Sequence, residues 1–424
     1  MALFQTVSCA VAVWSILAIG LHLWPFEGRH SMEMVAPINL GVILWTIIAV
    51  AAVIFSSQMR RVIAGNLPDV SVWAFLAMAT ASVAFSPHVG QSAASLVKLA
   101  LMYVGAFTFF GVACRREGWA SRFCTIALAA ACIAMSASVL PRLLGHAGLG
   151  FFGNPYKYGT TVAILFTLGG IFLVARSGFW GWLVVPAAAL AAVATVSLGG
   201  MCGIAVGLLA GMLAIKHRAA RLRLAVCLLT LAAIWVVFWQ MPVFSHLRDD
   251  ALIADSNGHD LRQRYIEWQA MLNLLGQRPV AGTGLGCVNE YRSMFYGRLP
   301  KLNTLEPFDR NGWLLTAVEM GIFGLVAFVW VVIAAVRKAR QAVEASGPQA
   351  RLAAAAFAAL MAACVANTFS SVNCNGVLNS FVLVLALAHH AGRKSFVCDP
   401  FVQDEAFSST KVSVQPAEGR VCDE

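Results

Sequence analysis

The chain has 424 residues, of which 59% are hydrophobic and 12% charged, and its mean hydropathy is +0.75. Soluble domains carry about 25% charged residues, so the composition excludes an ordinary soluble protein. The formal net charge is +10. The lysines and arginines are divided among short connections between apolar runs, which argues against a nucleic-acid partner and for a membrane protein in contact with lipids.

Twelve apolar runs follow one another along the chain. They are 5–24, 35–56, 69–86, 95–114, 122–141, 158–176, 178–196, 198–215, 222–240, 311–336, 352–372 and 376–391. A membrane-spanning helix needs roughly 20 mostly apolar residues, so the runs predict an all-α polytopic membrane protein with about 12 transmembrane helices. The first run is long for a signal-peptide core and has no basic residues before it, so we expect it to be retained.

Basic residues cluster in the connections that follow even-numbered runs. The clusters are Arg60 and Arg61; Arg115, Arg116 and Arg122; Arg176; Lys216, Arg218, Arg221 and Arg223; Arg337, Lys338 and Arg340; Arg393 and Lys394. Cytoplasmic connections of membrane proteins carry this excess of lysine and arginine. The pattern therefore predicts cytoplasmic N- and C-termini, and it places the connections after odd-numbered runs on the outer side.

One connection is much longer than the others. Residues 241–310 form a polar outer loop between the ninth and tenth runs, and loops longer than about 15 residues are usually functional or disordered. The loop divides the chain into helices 1–9 (1–240), the loop itself (241–310), helices 10–12 (311–393) and a polar tail (394–424). We expect the tail to be disordered in the cytoplasm.

The loop contains a predicted helix of its own, "DLRQRYIEWQAMLNLL" at 260–275. Its spacing puts the large apolar residues on one face and the polar residues on the other, and Asp260 is a suitable N-cap. The apolar set is Tyr265, Trp268, Met271, Leu272 and Leu275, and the polar set is Arg262, Gln263 and Glu267. Such a helix is typical of a membrane interface.

The predicted helix is followed by "RPVAGTGLG" at 278–286. A glycine loop that binds phosphate follows a strand and opens a helix, and no strand is expected here. We interpret this segment as a tight turn that allows close approach of the backbone.

Several cations collect near the outer surface: Lys98, Arg142, Lys157, Arg262, Arg264 and Arg278, together with Asn154 in the connection 142–157. Arginine binds phosphate through a planar fork of donors and lysine binds it as a point charge. Two interpretations remain open: a cradle for a diphosphate, and side chains that reach towards lipid headgroups.

Two further ionisable residues allow both a functional and a structural interpretation. Glu319 lies within the tenth apolar run, where a carboxylate is either a functional group or a hydrogen-bonding group that pins neighbouring helices. His259, in the outer loop, is either a general base or a solvated side chain. The eleven cysteines show no metal-ligand spacing, and we predict no metal and no cofactor.

Five segments occur in an order that resembles the O-antigen ligase and O-antigen polymerase superfamily of bacterial membrane glycosyltransferases. They are "GNP" at 153–155, "SLGG" at 197–200, "RYIEW" at 264–268, "RPVAGTGLG" at 278–286 and "RNGWLLTAVEMGIFG" at 310–324. Each motif alone is weak, and their order on this frame of helices is more specific. Arg264 matches the loop arginine of the family, and Asn311 matches the asparagine of its histidine–asparagine pair.

The resemblance implies a GT-C-like, metal-independent enzyme of the bacterial inner membrane. Such an enzyme transfers a glycan from undecaprenyl diphosphate to a hydroxyl of a glycan or lipid-core acceptor on the periplasmic side. The leaving group is a diphosphate, so cationic donors should supply most of the stabilisation. The acceptor hydroxyl needs a base within hydrogen-bonding reach.

The chain departs from the family pattern at two places. The family's histidine is replaced by Arg310, and "SLGGMCG" lacks the arginine often found after this turn. Arginine cannot act as a base, so Glu306, Asp309 and His259 remain as alternatives, while Arg310 could bind phosphate. The motifs do not separate a polymerase from a ligase.

Two other classes of function are alternatives to the enzyme. A transporter or flippase for a lipid or anionic solute would need a central cationic cavity and paired broken helices, and the sequence shows neither. A non-catalytic scaffold of envelope assembly is the other class, and Arg310 makes it credible.

Overall fold

The computed structural model describes residues 6–11, 13, 46–47, 50, 57–115, 118–143, 155–176, 178–194, 197–240, 259–291, 311–344, 348–373 and 377–392. In this part of the chain every regular element is a helix and no strand occurs. The predicted disordered tail and most of the first two apolar runs lie outside the described residues. Asn154, Glu306, Asp309 and Arg310 lie outside them as well.

The described α-helices are α1 (Ser57–Ala64), α2 (Val70–Ala84), α3 (Val89–Cys114), α4 (Trp119–Leu143), α5 (Pro155–Arg176), α6 (Val184–Ala194), α7 (Leu198–Ala214), α8 (Arg218–Gln240), α9 (His259–Gln277), α10 (Gly312–Glu344), α11 (Pro348–Ala366) and α12 (Val377–Ala391). Helix α3 includes a π-helical stretch, Leu101–Ala106. Two 3-10 segments, Phe179–Leu183 and Val288–Tyr291, precede α6 and follow α9.

Six of the described helices are long and apolar enough to cross a membrane. They are Val89–Cys114, Trp119–Ser136, Tyr158–Arg176, Arg218–Val237, Gly312–Glu344 and Gln349–Ala366. Four shorter apolar helices accompany them, namely Val70–Ala84, Phe179–Ala194, Gly199–Ala214 and Ser380–Ala391. The all-α membrane architecture is confirmed. The total of about 12 transmembrane helices stays a prediction, because the first two runs fall largely outside the described part.

The centre of the bundle is a close-packed group of three helices, α5, α7 and α11. Small residues on α7 allow this packing: a Cβ added to Gly203 would lie 3.2 Å from Ala163 Cβ and 3.0 Å from the Ala362 carbonyl oxygen. A Cβ added to Gly207 would lie 2.6 Å from Thr167 Cγ2. Without a hydrophobic driving force between helices in lipid, such close backbone approach is a main source of their association.

Contacts between helix ends define two opposite ends of the bundle. At one end the amide of Gly312, at the start of α10, donates to the carbonyl of Asn367, just after α11. We call this the polar end. At the other end Lys338 of α10 and His389 of α12 meet Asp69, which precedes α2. We call this the basic end.

The contacts of Asp69 hold three helices together at the basic end. The Lys338 ammonium donates to its carboxylate, and His389 Nδ1 lies 3.4 Å from the second oxygen. Burial raises the pKa of Asp69, but the bonds from His389 and Lys338 outweigh this effect and lower the pKa from 3.8 to about 2. The ionised form is therefore favoured in the folded state.

We expect the stability of the protein to fall in acid through this carboxylate. Its contribution is complete above pH 3.8 and is lost as the pH falls towards about 2, because the folded state then has to take up the proton. Asp69→Asn should cost about 1 kcal/mol at pH 6, a value reduced for partial solvent exposure. Thermal unfolding in detergent at pH 6 and pH 3 measures the effect.

The exposed carboxylate of Glu344, at the end of α10, provides the control, since Glu344→Gln should leave the unfolding temperature unchanged at both pH values. The difference between wild type and Asp69→Asn should narrow at pH 3. An equal difference at both pH values would contradict the assignment.

Candidate functional site

The structure describes the predicted site residues to different extents. The side chains of Lys98, Arg278, Asn311 and Glu319 are described; Arg142, Lys157, His259, Arg262 and Arg264 are placed in helices by their backbone. Nothing tests the predicted substrate or catalytic roles of these residues, which remain predictions. What the structure shows is which elements lie together at the polar end.

The loop helix α9 packs on α10 through a face that includes Glu267 and Met271, both fully buried. The prediction that put Glu267 on a polar side of the helix was wrong, because this carboxylate is enclosed by the protein. Tyr265 and Leu272 are 65% and 53% exposed, and their place at a membrane interface stays a prediction. Helix α9 also begins at His259, so the predicted N-cap, Asp260, lies in its first turn.

Glu267, predicted to lie on the polar face, becomes a candidate site residue because it is buried. The buried face of α9 consists of residues 267, 270, 271 and 274. The three apolar residues of this face form one cluster with Val318 of α10, against which Leu314 and Leu315 also pack. Helical periodicity extends this face back to Arg264, three residues before Glu267. The spacing within "RYIEW" was the available sign that these two positions share one face of the helix.

The turn at 278–286, which follows α9 and which we call the glycine turn, docks on a break in α10. Gly321 has φ 72° inside this helix, so the regular hydrogen bonds of the helix are interrupted there. The amide of Thr283 donates to the Val318 carbonyl at 2.8 Å, and that of Gly284 donates to the Glu319 carbonyl at 3.1 Å. In return the Ile322 amide donates to the Pro279 carbonyl at 2.8 Å.

Only glycine suits four positions in this contact. Gly282, Gly284, Gly286 and Gly321 all have positive φ, which other L-residues adopt at a cost of roughly 1–2 kcal/mol. A Cβ at Gly321 would overlap the Val280 carbonyl, and one at Gly282 would overlap the Glu319 carbonyl. The prediction of a tight turn with close backbone approach is confirmed.

Glu319 contacts the glycine turn through both its backbone and its side chain. Its carbonyl accepts from Ser82 Oγ at 2.7 Å as well as from Gly284, and its carboxylate is hydrogen-bonded by the Gly286 backbone. These bonds favour the structural interpretation, in which the carboxylate pins elements together. Its role in substrate binding stays a prediction.

The hairpin between α2 and α3 holds the other side of the turn. Ser92 Oγ lies 2.9 Å from Ser86 Oγ and 3.1 Å from Cys287 Sγ, and Gln91 Nε2 donates to the Gly286 carbonyl at 3.0 Å. A Cβ at Gly286 would overlap Ser95 Oγ. Lys98 follows Ser95 by three residues, so helical spacing puts it on the face of α3 that meets the turn.

Asn311 is the N-cap of α10. Its Oδ1 accepts from the amides of Trp313 and Leu314, both at 3.1 Å, which satisfies two of the donors that a helix start leaves without partners. Its side chain is buried. The motif asparagine therefore has a structural role, and its amide nitrogen takes no part in the cap.

The chain between α11 and α12 forms a buried polar turn beside the start of α10. The apolar run predicted to continue to residue 372 ends as a helix at Ala366. Asn367 Oδ1 accepts from the Val372 amide at 2.8 Å, and Asn373 Oδ1 accepts from the Tyr103 hydroxyl at 2.9 Å. The correction has a simple cause, because Asn and Ser side chains compete for backbone bonds and favour turns.

Two polar atoms of this turn have no hydrogen-bond partner among the described residues. They are Asn367 Nδ2 and Ser370 Oγ, in side chains that are 1% exposed. A buried polar group without a partner costs about 1–3 kcal/mol and calls for an explanation. Neither residue was among the predicted site residues, although the run "NTFSSVN" at 367–373 in an apolar context was a sign that could have found them.

Other motif residues also have structural explanations. Ser197 caps α7 by accepting from the Gly200 amide at 3.1 Å, which accounts for "SLGG". Arg278 is exposed, and its guanidinium lies 5.5 Å from the centre of the Tyr291 ring. Arg142 and Lys157 belong to the end of α4 and the start of α5.

Comparison with known proteins supports one family. Residues 182–329 match a family model described as O-antigen ligase, and no curated protein matches the chain. The matched region includes "SLGG", "RYIEW", the glycine turn and the break at Gly321. The resemblance to the O-antigen ligase and polymerase superfamily is confirmed there, and it supports a function of this type in polysaccharide biosynthesis.

We expect Gly321→Ala to undock the glycine turn from α10. The positive φ and the overlap with the Val280 carbonyl should together cost about 2 kcal/mol or more. The extent to which the buried Cys287 is alkylated should then be higher than in the wild type, and peptide mass spectrometry measures it. Gly276→Ala is the control, since a Cβ there meets nothing within 4 Å, and reaction of Cys287 in that variant to the same extent would contradict the docking.

Variants of Asn311 distinguish the capping of α10 by its side-chain oxygen from a contact of its amide nitrogen with substrate. Asn311→Ala removes the cap and should cost about 1 kcal/mol, whereas Asn311→Asp keeps an accepting oxygen and should preserve stability. Thermal unfolding measures both. If the amide contacts substrate, as the family motif implies, Asn311→Asp should lower glycan transfer at an unchanged unfolding temperature, and full activity would leave the residue as a cap alone.

Proposed function

We propose that this chain is an inner-membrane glycosyltransferase that transfers an oligosaccharide from undecaprenyl diphosphate to a hydroxyl of a glycan or lipid-core acceptor. It would act on the periplasmic side in O-antigen or exopolysaccharide biosynthesis, with a GT-C-like frame and without a metal. The observation that carries the proposal is the docking of α9 and the glycine turn on α10. Three motifs of the family thereby meet at the polar end.

The proposed orientation follows from the distribution of charge. The basic end carries Lys338 and the arginine-rich connections and would face the cytoplasm, with both chain termini on that side. The polar end would face the periplasm. A prenyl-linked diphosphate has its phosphates at the depth where α9 lies against the start of α10.

Leaving-group stabilisation is the main task that we assign to the cations. Arg264 and Arg310 would bind the diphosphate oxygens, since guanidinium groups match them with two parallel donors. Lys98, on the face of α3 that meets the glycine turn, would add a point charge. We assign supporting contacts to Arg142, Asn154, Lys157, Arg262 and Arg278.

The base that accepts the proton of the acceptor hydroxyl stays open among Glu306, Asp309 and His259. To Glu267 we assign a positioning role. A carboxylate buried to 0% exposure is strongly unfavourable unless a cation or donors accompany it, and Arg264 shares its helix face. Held by Glu267, the guanidinium would keep one orientation towards the diphosphate.

The break in α10 argues against a transporter. In transporters, broken helices present their free backbone groups to the substrate. Here the carbonyls of Val318 and Glu319 at the break accept from Thr283 and Gly284. The described part of the chain therefore uses its broken helix to anchor a loop.

We expect Arg264→Ala to lower glycan transfer about 100-fold or more, the usual effect of removing one donor to a developing negative charge. Glu267→Gln should lower it about 10- to 100-fold by loosening the orientation of Arg264. Transfer from a synthetic prenyl-diphosphate oligosaccharide by the purified protein measures both effects. Glu290→Gln, an exposed carboxylate of the same segment, should be neutral.

A double variant tests whether Glu267 acts through Arg264. Adding Glu267→Gln to Arg264→Ala should have little further effect on transfer, whereas independent effects would multiply and would contradict the positioning role. Unchanged surface polysaccharide in a deletion strain complemented with Arg264→Ala would overturn the proposed function. A gel of the surface polysaccharide also separates the two enzyme types. Single-unit glycans in the deletion strain indicate a polymerase, and lipid-linked polymer indicates a ligase.

A further inference from the structure

A groove of about 260 Å³ lies between the start of α4 and the end of α5, far from the polar end. Its lining includes the guanidinium-bearing side chains of Arg122 and Arg176, beside the apolar side chains of Trp119 and Ile126. Among the described residues, no acidic side chain lines the groove. The function proposed above makes no use of it.

The two arginines give the groove a net positive charge. Both side chains are exposed, and neither forms an ion pair within the described part of the chain. Arg122 is held in place by Trp119, whose ring centre lies 5.2 Å from its guanidinium carbon. An arginine over an aromatic ring keeps its in-plane N–H donors available for an anion.

The surroundings put the groove at the depth of lipid headgroups. Arg176 ends α5, and the 3-10 segment that follows exposes Phe179 to 79% and Trp180 to 67%. Aromatic side chains of this kind are enriched at membrane–water interfaces. The groove therefore lies where the phosphates of the adjacent leaflet would be.

We propose that this groove binds the phosphate headgroup of an anionic phospholipid from the leaflet at the basic end. The guanidiniums of Arg122 and Arg176 would take the phosphodiester, and Trp119, Ile126 and Val13 would contact the first part of the acyl chains. Pockets for whole ligands measure about 300–1,000 Å³, so the groove suits a headgroup with its chains outside. Basic pockets between helices on the cytoplasmic side commonly bind anionic lipids.

A membrane lipid fits the groove better than a soluble phosphate. The apolar half of the lining would gain nothing from a free anion, whereas acyl chains would cover it. Ser121 and Thr125 donate their hydroxyls to Gly118 and Ser121 carbonyls, so they add no donors for phosphate. Charge attraction and apolar contact together are the features of an anionic amphiphile.

Lipid-dependent thermal stability tests the proposal on the full-length protein in neutral detergent. Adding phosphatidylglycerol should raise the unfolding temperature, since a ligand that binds the folded state stabilises it, and phosphatidylcholine should raise it less. Inorganic phosphate at the same concentration should have little effect. An equal shift with inorganic phosphate would show binding of a free anion and would overturn the lipid assignment.

A matched pair of double variants tests the location. Arg122→Gln with Arg176→Gln should remove at least half of the shift caused by phosphatidylglycerol. Arg340→Gln with Arg351→Gln removes the same charge from two exposed arginines outside the groove and should keep the shift. Equal loss in the two variants would overturn the site in favour of diffuse attraction.

If the groove variant does not fold, native mass spectrometry of the wild type and of Arg122→Lys with Arg176→Lys provides the second measurement. Lysine keeps the charge but loses the planar fork, so retained lipid adducts should fall at least twofold. An unchanged adduct distribution would contradict specific binding by the guanidiniums.

Discussion

The break in α10 sets a requirement that the rest of the polar end meets. In a membrane every backbone N–H and C=O needs a partner within the protein, because lipid supplies none. Gly321 interrupts the helix, and the glycine turn supplies the missing donors to Val318 and Glu319. The segment that follows α9 is thereby fixed to a transmembrane helix by backbone bonds that few side-chain changes can replace.

The position of α9 depends on this anchor. Its last residues lead directly into the turn, and its buried face packs on the first half of α10 through Met271, Leu274 and Val318. Helical spacing puts Arg264 on the same face, several helical turns before the start of the glycine turn. A loop arginine is in this way placed by a rigid helix, and rigid placement is what stabilisation of a developing charge requires.

Much of this arrangement was predictable because it depends on local rules. Long apolar runs predict spanning helices, and glycines at 282, 284 and 286 predict a turn with close backbone approach, which their positive φ confirms. What no local rule provides is the partner of the turn. That the turn would fit a break at Gly321, about 40 residues later, depends on tertiary contact.

The two corrections at the polar end have a common cause. Assigning Glu267 to the polar face of α9 failed because this carboxylate is buried in the protein. Extending the eleventh run to residue 372 failed because Asn367 accepts a bond from Val372 and ends the helix. In both cases polar groups are buried where hydrophobicity would place apolar ones, and such exceptions concentrate at functional sites.

The replacement of the family's histidine by Arg310 changes the balance of chemistry expected at the start of α10. A helix N-terminus already favours negative charge, and the positive charge of Arg310 strengthens this preference. In the function proposed above, this preference would suit a diphosphate, and the change therefore shifts weight from proton removal to stabilisation of the leaving group.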